Sequence, residues 1–193
     1  MRAHCYDQQV PKQVDHTKRR AEIDAIVWSI IAEEGIAAVT LRSIATRGEI
    51  SMGRVQHYFP TRAAIVQHAL TSLLALAEKE YPIPADPREA LDVLLTHQIP
   101  RNESQQLGTK VWYAYLAESI TDPAIAAIVG QTLRGNEDLA ASLLNGDRDR
   151  ARLLLSAADG LAYRTLVGIV TPQVAEATIR SLIDEQTEDP LRA

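Results

Sequence analysis

The sequence predicts an all-α protein of nine helices, a small N-terminal unit of three followed by a longer helical body. Ala, Leu, Ile, Glu and Arg dominate its 193 residues, a composition that favours helix. Apolar residues recur at three- and four-residue steps, and no long β-branched or aromatic run is bounded by turn signals. Glycine and proline fall where helices of ordinary length would stop and start. With 46% hydrophobic residues the chain has enough material for a core.

Residues 1–16 read as a polar arm. From Thr17 an inner stripe of Ala21, Ile23, Ile26, Val27, Ile30 and Ile31 forms, with Glu22, Asp24, Glu33 and Glu34 expected to face out and Gly35 as the stop. Trp28 is expected to cover the edge of the small core. Thr40 sits where an N-cap belongs, before a helix over 41–48 whose inner face is Leu41, Ile44 and Ala45. Ser51 caps the next helix, 52–58. Pro60 and Thr61 restart the chain as a helix over 61–80, with Ile65, Val66, Ala69, Leu70, Leu73, Leu74 and Ala77 inside, and Tyr81-Pro82-Ile83-Pro84 breaks it. Asp86-Pro87 opens a helix to His97, which Pro100 closes off. The remaining helices cover 103–119, 122–145 (begun by Asp122-Pro123, stopped by Gly146), 148–170 and 173–186. The predicted organisation is an arm (1–16), a reading unit (17–62) and a body (63–193).

Residues 40–62, TLRSIATRGEISMGRVQHYFPTR, form a helix-turn-helix pattern. Val55 and Phe59 pack inward with Ile44 and Ile50, whereas positions 53, 56 and 57 share the opposite face by the i, i+3, i+4 rule. A major groove accepts one such helix and displays a full donor/acceptor code. Gly53 permits close backbone approach; Gln56 and His57 reach base edges. Arg54, Tyr58 and Arg62 suit phosphates, and Arg42 suits a phosphate or a guanine. The Thr40 hydroxyl adds anion affinity at a helix start, and Ser51 and Met52 at the head of the second helix complete the expected DNA-binding set. Charge agrees modestly. The whole chain is −5, but residues 1–62 carry nine Lys/Arg against seven Asp/Glu and residues 63–193 eleven against eighteen, so +2 and −7.

The ordered set Thr40, Leu41, Arg42, Ile44, Ala45, Ile50, Ser51, Gly53, Val55, His57-Tyr58-Phe59, Thr61, Arg62 and Ile65 resembles the DNA-binding signature of the TetR/AcrR transcriptional regulators. Two positions depart from it. The family commonly has Ala-Gly at the turn where this chain has Gly48-Glu49, so the left-handed position falls on Glu49 at a cost of about 1 kcal/mol, or the turn shifts to use Gly48. Gln56 replaces a frequent tyrosine; glutamine pairs bidentately with adenine, which implies altered sequence preference. The resemblance implies a homodimeric, ligand-responsive repressor. It would bind a pseudo-palindromic double-stranded operator and be released by a small-molecule effector. The string VWYAYLAESITDPAIAAI and the later DGLA more loosely resemble the betaine-regulator-like branch.

In the body, Leu153, Leu154, Ala157, Ala158, Leu161 and Ala162, with Val174, Ala177, Thr178, Ser181 and Leu182, give two terminal helices with small-residue faces, expected to pair with a second copy as a four-helix interface. His97, Arg101, Trp112, Tyr115, Leu116 and Tyr163 are the candidate ligand contacts, with Tyr113 beside them; Arg101 points to an acidic ligand, and no aromatic cage for a cation is evident. No H-E-x-x-H, G-x-S-x-G, phosphate-binding loop or Cys/His zinc spacing occurs, so no enzyme, metal or cofactor is expected. The expected location is the cytoplasm, at the nucleoid. Lone Cys5 in a polar tail, no signal peptide and no apolar stretch of membrane-spanning length all fit that.

Overall fold

The computed structural model describes residues 16–185; residues 1–15 of the predicted arm, with Cys5, and residue 186 of the predicted last helix lie outside them, while His16, counted to the arm, opens the first helix. Among the described residues there are nine α-helices and no strand: α1 (His16–Glu34), α2 (Leu41–Arg47), α3 (Met52–Tyr58), α4 (Arg62–Glu80), α5 (Pro87–Thr96), α6 (Glu103–Glu118), α7 (Pro123–Leu143), α8 (Arg148–Leu166) and α9 (Pro172–Asp184). A 3₁₀ turn, Ile36–Ala38, which the sequence reading lacked, joins α1 to α2. None of these helices is long and apolar enough to cross a membrane.

The starts are set by side-chain caps. Thr40 accepts from the Ser43 N–H at 2.9 Å while the Ser43 hydroxyl accepts from the Thr40 N–H at 2.9 Å, a reciprocal box that satisfies two donors. Ser51, Thr61, Asp86, Asn102, Asp122, Asp147 and Thr171 cap the later helices in the same sense. The α8 end shows how helices close here. Gly168 takes a left-handed φ of 77° and the Ile169 N–H reaches the Arg164 carbonyl at 2.9 Å, which ends the helix before the predicted residue 170.

The same closure ends α2, with glutamate in the glycine position. Glu49 has φ 50°, its N–H reaches the Thr46 carbonyl at 3.3 Å, and the Ile50 N–H reaches the Ala45 carbonyl at 3.1 Å. Of the two turns the sequence allowed, the chain therefore uses the one with Glu49 left-handed. Gly48 has an ordinary φ of −83° and is needed for a different reason: a Cβ there would lie 2.5 Å from Ile26 Cδ1 and 3.1 Å from the Ile44 carbonyl. Close approach of the turn to α1 thus occupies the glycine, and the strained conformation falls on its neighbour. Glu49→Gly is expected to raise unfolding stability by about 0.5–1 kcal/mol, the left-handed penalty less glycine's greater freedom in the unfolded chain. A urea midpoint shift at constant slope measures it, and an unchanged or lowered midpoint refutes the strain.

Two apolar clusters fill the molecule. The first runs through α1–α4 around Ile23, Val27, Ile44, Val55, Phe59, Ile65 and Leu70, and continues into α6 and α7 through Val111, Trp112, Tyr115, Ile125 and Val129. The second joins α5, the end of α7, α8 and α9 around Leu91, Leu95, Ile99, Leu154, Ala162, Ala175 and Ile179. Asp24 departs from expectation: it is buried, at 2% exposure, and faces α4. Arg47 spans from α2 to Glu33 and Glu34 at the end of α1, at 2.6 and 2.5 Å.

Asp159 on α8 is largely buried, its carboxylate makes no hydrogen bond or ion pair among the described residues, and burial raises its pKa to about 6. A carboxyl raised above its unfolded value of about 3.9 contributes stability below that value and loses it as pH rises through about 6. Asp159→Asn is therefore expected to stabilise the protein at pH 7.5 by about 2 kcal/mol and to make no difference near pH 4. Paired urea titrations of both proteins across that range read the difference directly; equal gains at both ends would show that ionisation is not the cause.

Candidate nucleic-acid interface and internal cavity

Helix α3 is seven residues long and amphipathic. Val55 and Phe59 are buried, while Met52, Gly53, Arg54, Gln56 and His57 are exposed. Among the described residues the side chains of Arg42, Arg54 and Gln56 make no hydrogen bond or ion pair, so the outer face presents donors without internal partners. The Ser51 hydroxyl is taken up capping Arg54 N–H at 3.2 Å. Tyr58 is half-buried, its ring edge-on to His57 at 5.2 Å and 5.5 Å from His16 of α1.

A notch of about 310 Å³ lies between α1 and α3, lined by Arg19, Arg54, His57 and Tyr58. Arg19, which also pairs with Glu22, was not among the sequence candidates. The run TKRR at 17–20 is its only sequence signal, because the fold and not the spacing brings it beside Arg54. One candidate is corrected: Arg62 turns inward, donating through Nε to the Val39 carbonyl and through Nη2 to the Ile36 carbonyl, each at 2.8 Å. The Ile36 carbonyl already accepts the Val39 N–H at 3.2 Å in the 3₁₀ turn, and the guanidinium fork adds a second donor there and one to the Val39 carbonyl.

The body holds a cavity of about 270 Å³ between α1, α4, α6, α7 and the link that follows α5. Trp28, Leu73, Leu74, Ala77, Tyr81 and Trp112 form its apolar wall, and Leu76 and Leu107 stand partly exposed at the rim. An adjoining groove of about 690 Å³ shares Leu74, Ala77, Tyr81, His97, Thr132 and Asn136 with it. His97 Nδ1 lies 2.8 Å from the Leu94 carbonyl, to which it donates, which leaves Nε2 as an acceptor. Burial holds the His97 imidazole below its ordinary pKa, so it is neutral. Tyr81 accepts from Gln105 Nε2 at 2.9 Å and donates to Glu80 at 3.4 Å. Gln98 also lines the cavity, and its shielded Oε1 has no hydrogen-bond partner. No Lys or Arg lines either space; Glu80 and Glu78 are the charged residues on them.

Of the sequence candidates for ligand contact, His97 and Trp112 line the cavity. Four do not. Arg101 is held by Glu176 at 2.5 Å and by the Thr96 carbonyl, which removes the argument for an acidic ligand. Tyr115 is fully buried with its hydroxyl on the Val66 carbonyl at 2.8 Å. Leu116 packs against the first core, and Tyr163 lies exposed on α8 beside Tyr113. Trp28, beyond covering a core edge, donates its Nε1–H to the Ala69 carbonyl at 3.0 Å and presents its ring to the cavity.

The α8 and α9 stripes divide. Leu153, Val174, Ala177, Thr178 and Ser181 are exposed, and Ala157, Leu161 and Leu182 half-buried. Leu154, Ala158 and Ala162 belong to the protomer's own core, which corrects their assignment to a subunit face: they sit about 100° around the helix from their neighbours.

Residues 87–188 match the family described as the BetI-type transcriptional repressor C-terminal domain. The regulator PksA of Bacillus subtilis is 28% identical over 93% of both chains. The regulator BetI of Burkholderia cenocepacia is 32% identical over 79% of this chain and 81% of its own. Among solved structures, a protein from Saccharomonospora viridis in complex with choline has the same fold, with a TM-score of 0.71, 23% identity and coverage of 90% of this chain and 97% of its own. These relatives are transcriptional regulators, not enzymes.

Proposed function

The chain belongs to the TetR family of transcriptional regulators, and we propose that it acts as a homodimeric repressor released from its operator by a small-molecule effector. The observation that carries the reading is the outer face of α3, where the Arg54 and Gln56 side chains have no internal partner among the described residues and Gly53 leaves the backbone approachable. In this reading residues 17–62 read DNA and residues 63–193 bind effector and partner, in the cytoplasm at the nucleoid. Gln56 and His57 meet base edges in the major groove. Arg54, with Arg19 across the notch, clamps a phosphate; Arg42, Thr40, Ser51, Met52 and Tyr58 border the same surface. Two copies would place their α3 helices about 34–36 Å apart, one helical turn of a pseudo-palindrome.

The cavity supports a neutral or cationic effector. No guanidinium or ammonium lines it to meet an anion, the charged groups on its margin are carboxylates, and Gln98 and His97 offer acceptors to a hydrogen-bond donor. The C-terminal half of α4 forms its wall while the N-terminal half packs in the reader's core, so α4 is the element on which an effector would act. Any shift is limited by the effector's differential affinity for the two arrangements.

Genomic fragments retained by the purified protein at moderate salt test the reading. A few sites sharing an inverted repeat are expected, and retention of none by folded dimer sinks it. On the retained site, Arg54→Ala is expected to weaken binding across sequences and reduce the salt slope by about one. An unchanged affinity and slope would remove Arg54 from the phosphate contacts.

A further inference from the structure

Asp24 is the ionisable group among the four buried polar residues described, and a carboxylate out of water is costly unless paired. Its partner is on α4: His68 Nδ1 donates to Asp24 Oδ1 at 2.9 Å. The same imidazole ring meets Phe59 nearly edge-on, with centroids 4.9 Å apart and planes at 64°. Phe59 is the residue that closes α3, 3% exposed, and the Arg20 guanidinium of α1 lies 5.7 Å from its ring centre. One side chain of α4 thus holds α1 by a hydrogen bond and α3 by an aromatic contact. The next turn of α4, from Leu73 on, is cavity wall.

Apart from the Trp28 Nε1–H bond to the Ala69 carbonyl at 3.0 Å, the rest of the α1–α4 contact is aliphatic, built from Ile23, Val27, Ile30, Ile65, Ala69 and Leu70. The aliphatic contacts are non-directional, and helices can slide or roll on them at small cost; of the two directional bonds, the Asp24–His68 pair is the one whose ring also meets Phe59 of α3. A bond from a ring nitrogen to a buried carboxylate has one good geometry and weakens steeply away from it.

We propose that the Asp24–His68 pair is the positioning device of the reading helix, fixing the rotation of α4 against α1 and, through Phe59, the angle at which α3 is presented. It rests on the reading of α3 as the DNA reader, but its first test does not. Hydrogen exchange of the amides of residues 53–59 is followed in the full-length DNA-free protein. The variants are Asp24→Leu/His68→Phe, which leaves no orphaned charge and keeps a ring against Phe59, and His68→Asn, whose amide N–H still faces Asp24.

The double variant is expected to speed exchange in 53–59 about tenfold while α5–α9 keep wild-type protection. His68→Asn should stay within about threefold of wild type, because the bond is retained. On the fragment that wild type retains best, the double variant should lose about tenfold in affinity and keep its affinity for a scrambled duplex, a split that loss of stability alone would not produce. Wild-type protection of 53–59 in the double variant overturns the proposal. So does a uniform rise in exchange over all helices, which assigns the pair to stability, and so does a His68→Asn that exchanges as fast as the double variant. If wild type retains no specific fragment, the DNA reading fails, and the exchange data still decide the pair.

Discussion

Replacing Leu153 and Val174 together with aspartate is expected to give a folded monomer that has lost about a hundredfold or more in operator affinity, since a dimer engages two half-sites at the effective concentration its own structure sets. The two residues are 62% and 56% exposed in the protomer, on faces of α8 and α9 that also carry Ala177, Thr178 and Ser181. Within one chain they touch little, so two surface charges should change protomer stability by no more than about 0.5 kcal/mol each. Across a two-fold interface the same four carboxylates would meet in an apolar seam and lose their water without partners. The neighbour Leu154 supplies the contrast. It is 1% exposed in the protomer's second core, so Leu154→Ala should cost about 2–5 kcal/mol of unfolding stability whether or not the chain dimerises. Sedimentation at micromolar concentration and titration of the retained fragment read the two quantities. A double-aspartate protein that sediments as a dimer with full affinity would move the subunit interface off these helices.

How far each feature could be read from the sequence follows from how local its physics is. The reader was legible because its constraints lie within about two dozen residues: a cap at Thr40, another at Ser51, and Val55 and Phe59 on one side of a helix whose other side is polar. The turn was left with two solutions, because the contact that excludes a Cβ from Gly48 is with Ile26, a residue of another helix. Asp24 was misread for the same reason. Periodicity cannot make a carboxylate an inside residue; what does so is His68, 44 positions away. Arg62 and Arg101 looked like free cations until the fold supplied the Val39 and Ile36 carbonyls and Glu176. The cavity was the least legible element, since it is assembled from four helices and the link after α5, and several of its walls, such as Leu73 and Ala77, read as ordinary core stripe. On α8 the small-residue pattern runs around most of the helix, and the sequence could not say which part faces α9 and which faces outward.

The sharpest test of the division between core and cavity is on α6, where Trp112 and Tyr115 are one turn apart. Tyr115→Ala is expected to lower unfolding stability by about 3–5 kcal/mol, a large share of what a single domain has. Tyr115 is among the largest fully buried side chains; it belongs to the core that α6 shares with α1 and α4, and its hydroxyl is fixed to the Val66 carbonyl. Burial holds that hydroxyl well above the ordinary tyrosine pKa, as expected of a group that never meets water. Truncation would open a void where the body is joined to the reader, so both should lose protection together and operator binding should fail at temperatures the wild type tolerates. Tyr115→Phe removes one hydrogen bond and almost no volume, and should cost only about 1 kcal/mol. Trp112 lies at the cavity surface, and Trp112→Phe should change effector binding more than it changes folding. Denaturant titrations of the three variants, with calorimetry for cooperativity, order the effects. If Tyr115→Phe proved as damaging as Tyr115→Ala, the hydroxyl and not the packed ring would be the joint. If Tyr115→Ala cost less than about 1 kcal/mol, α6 would not be the bridge between the two parts of the molecule.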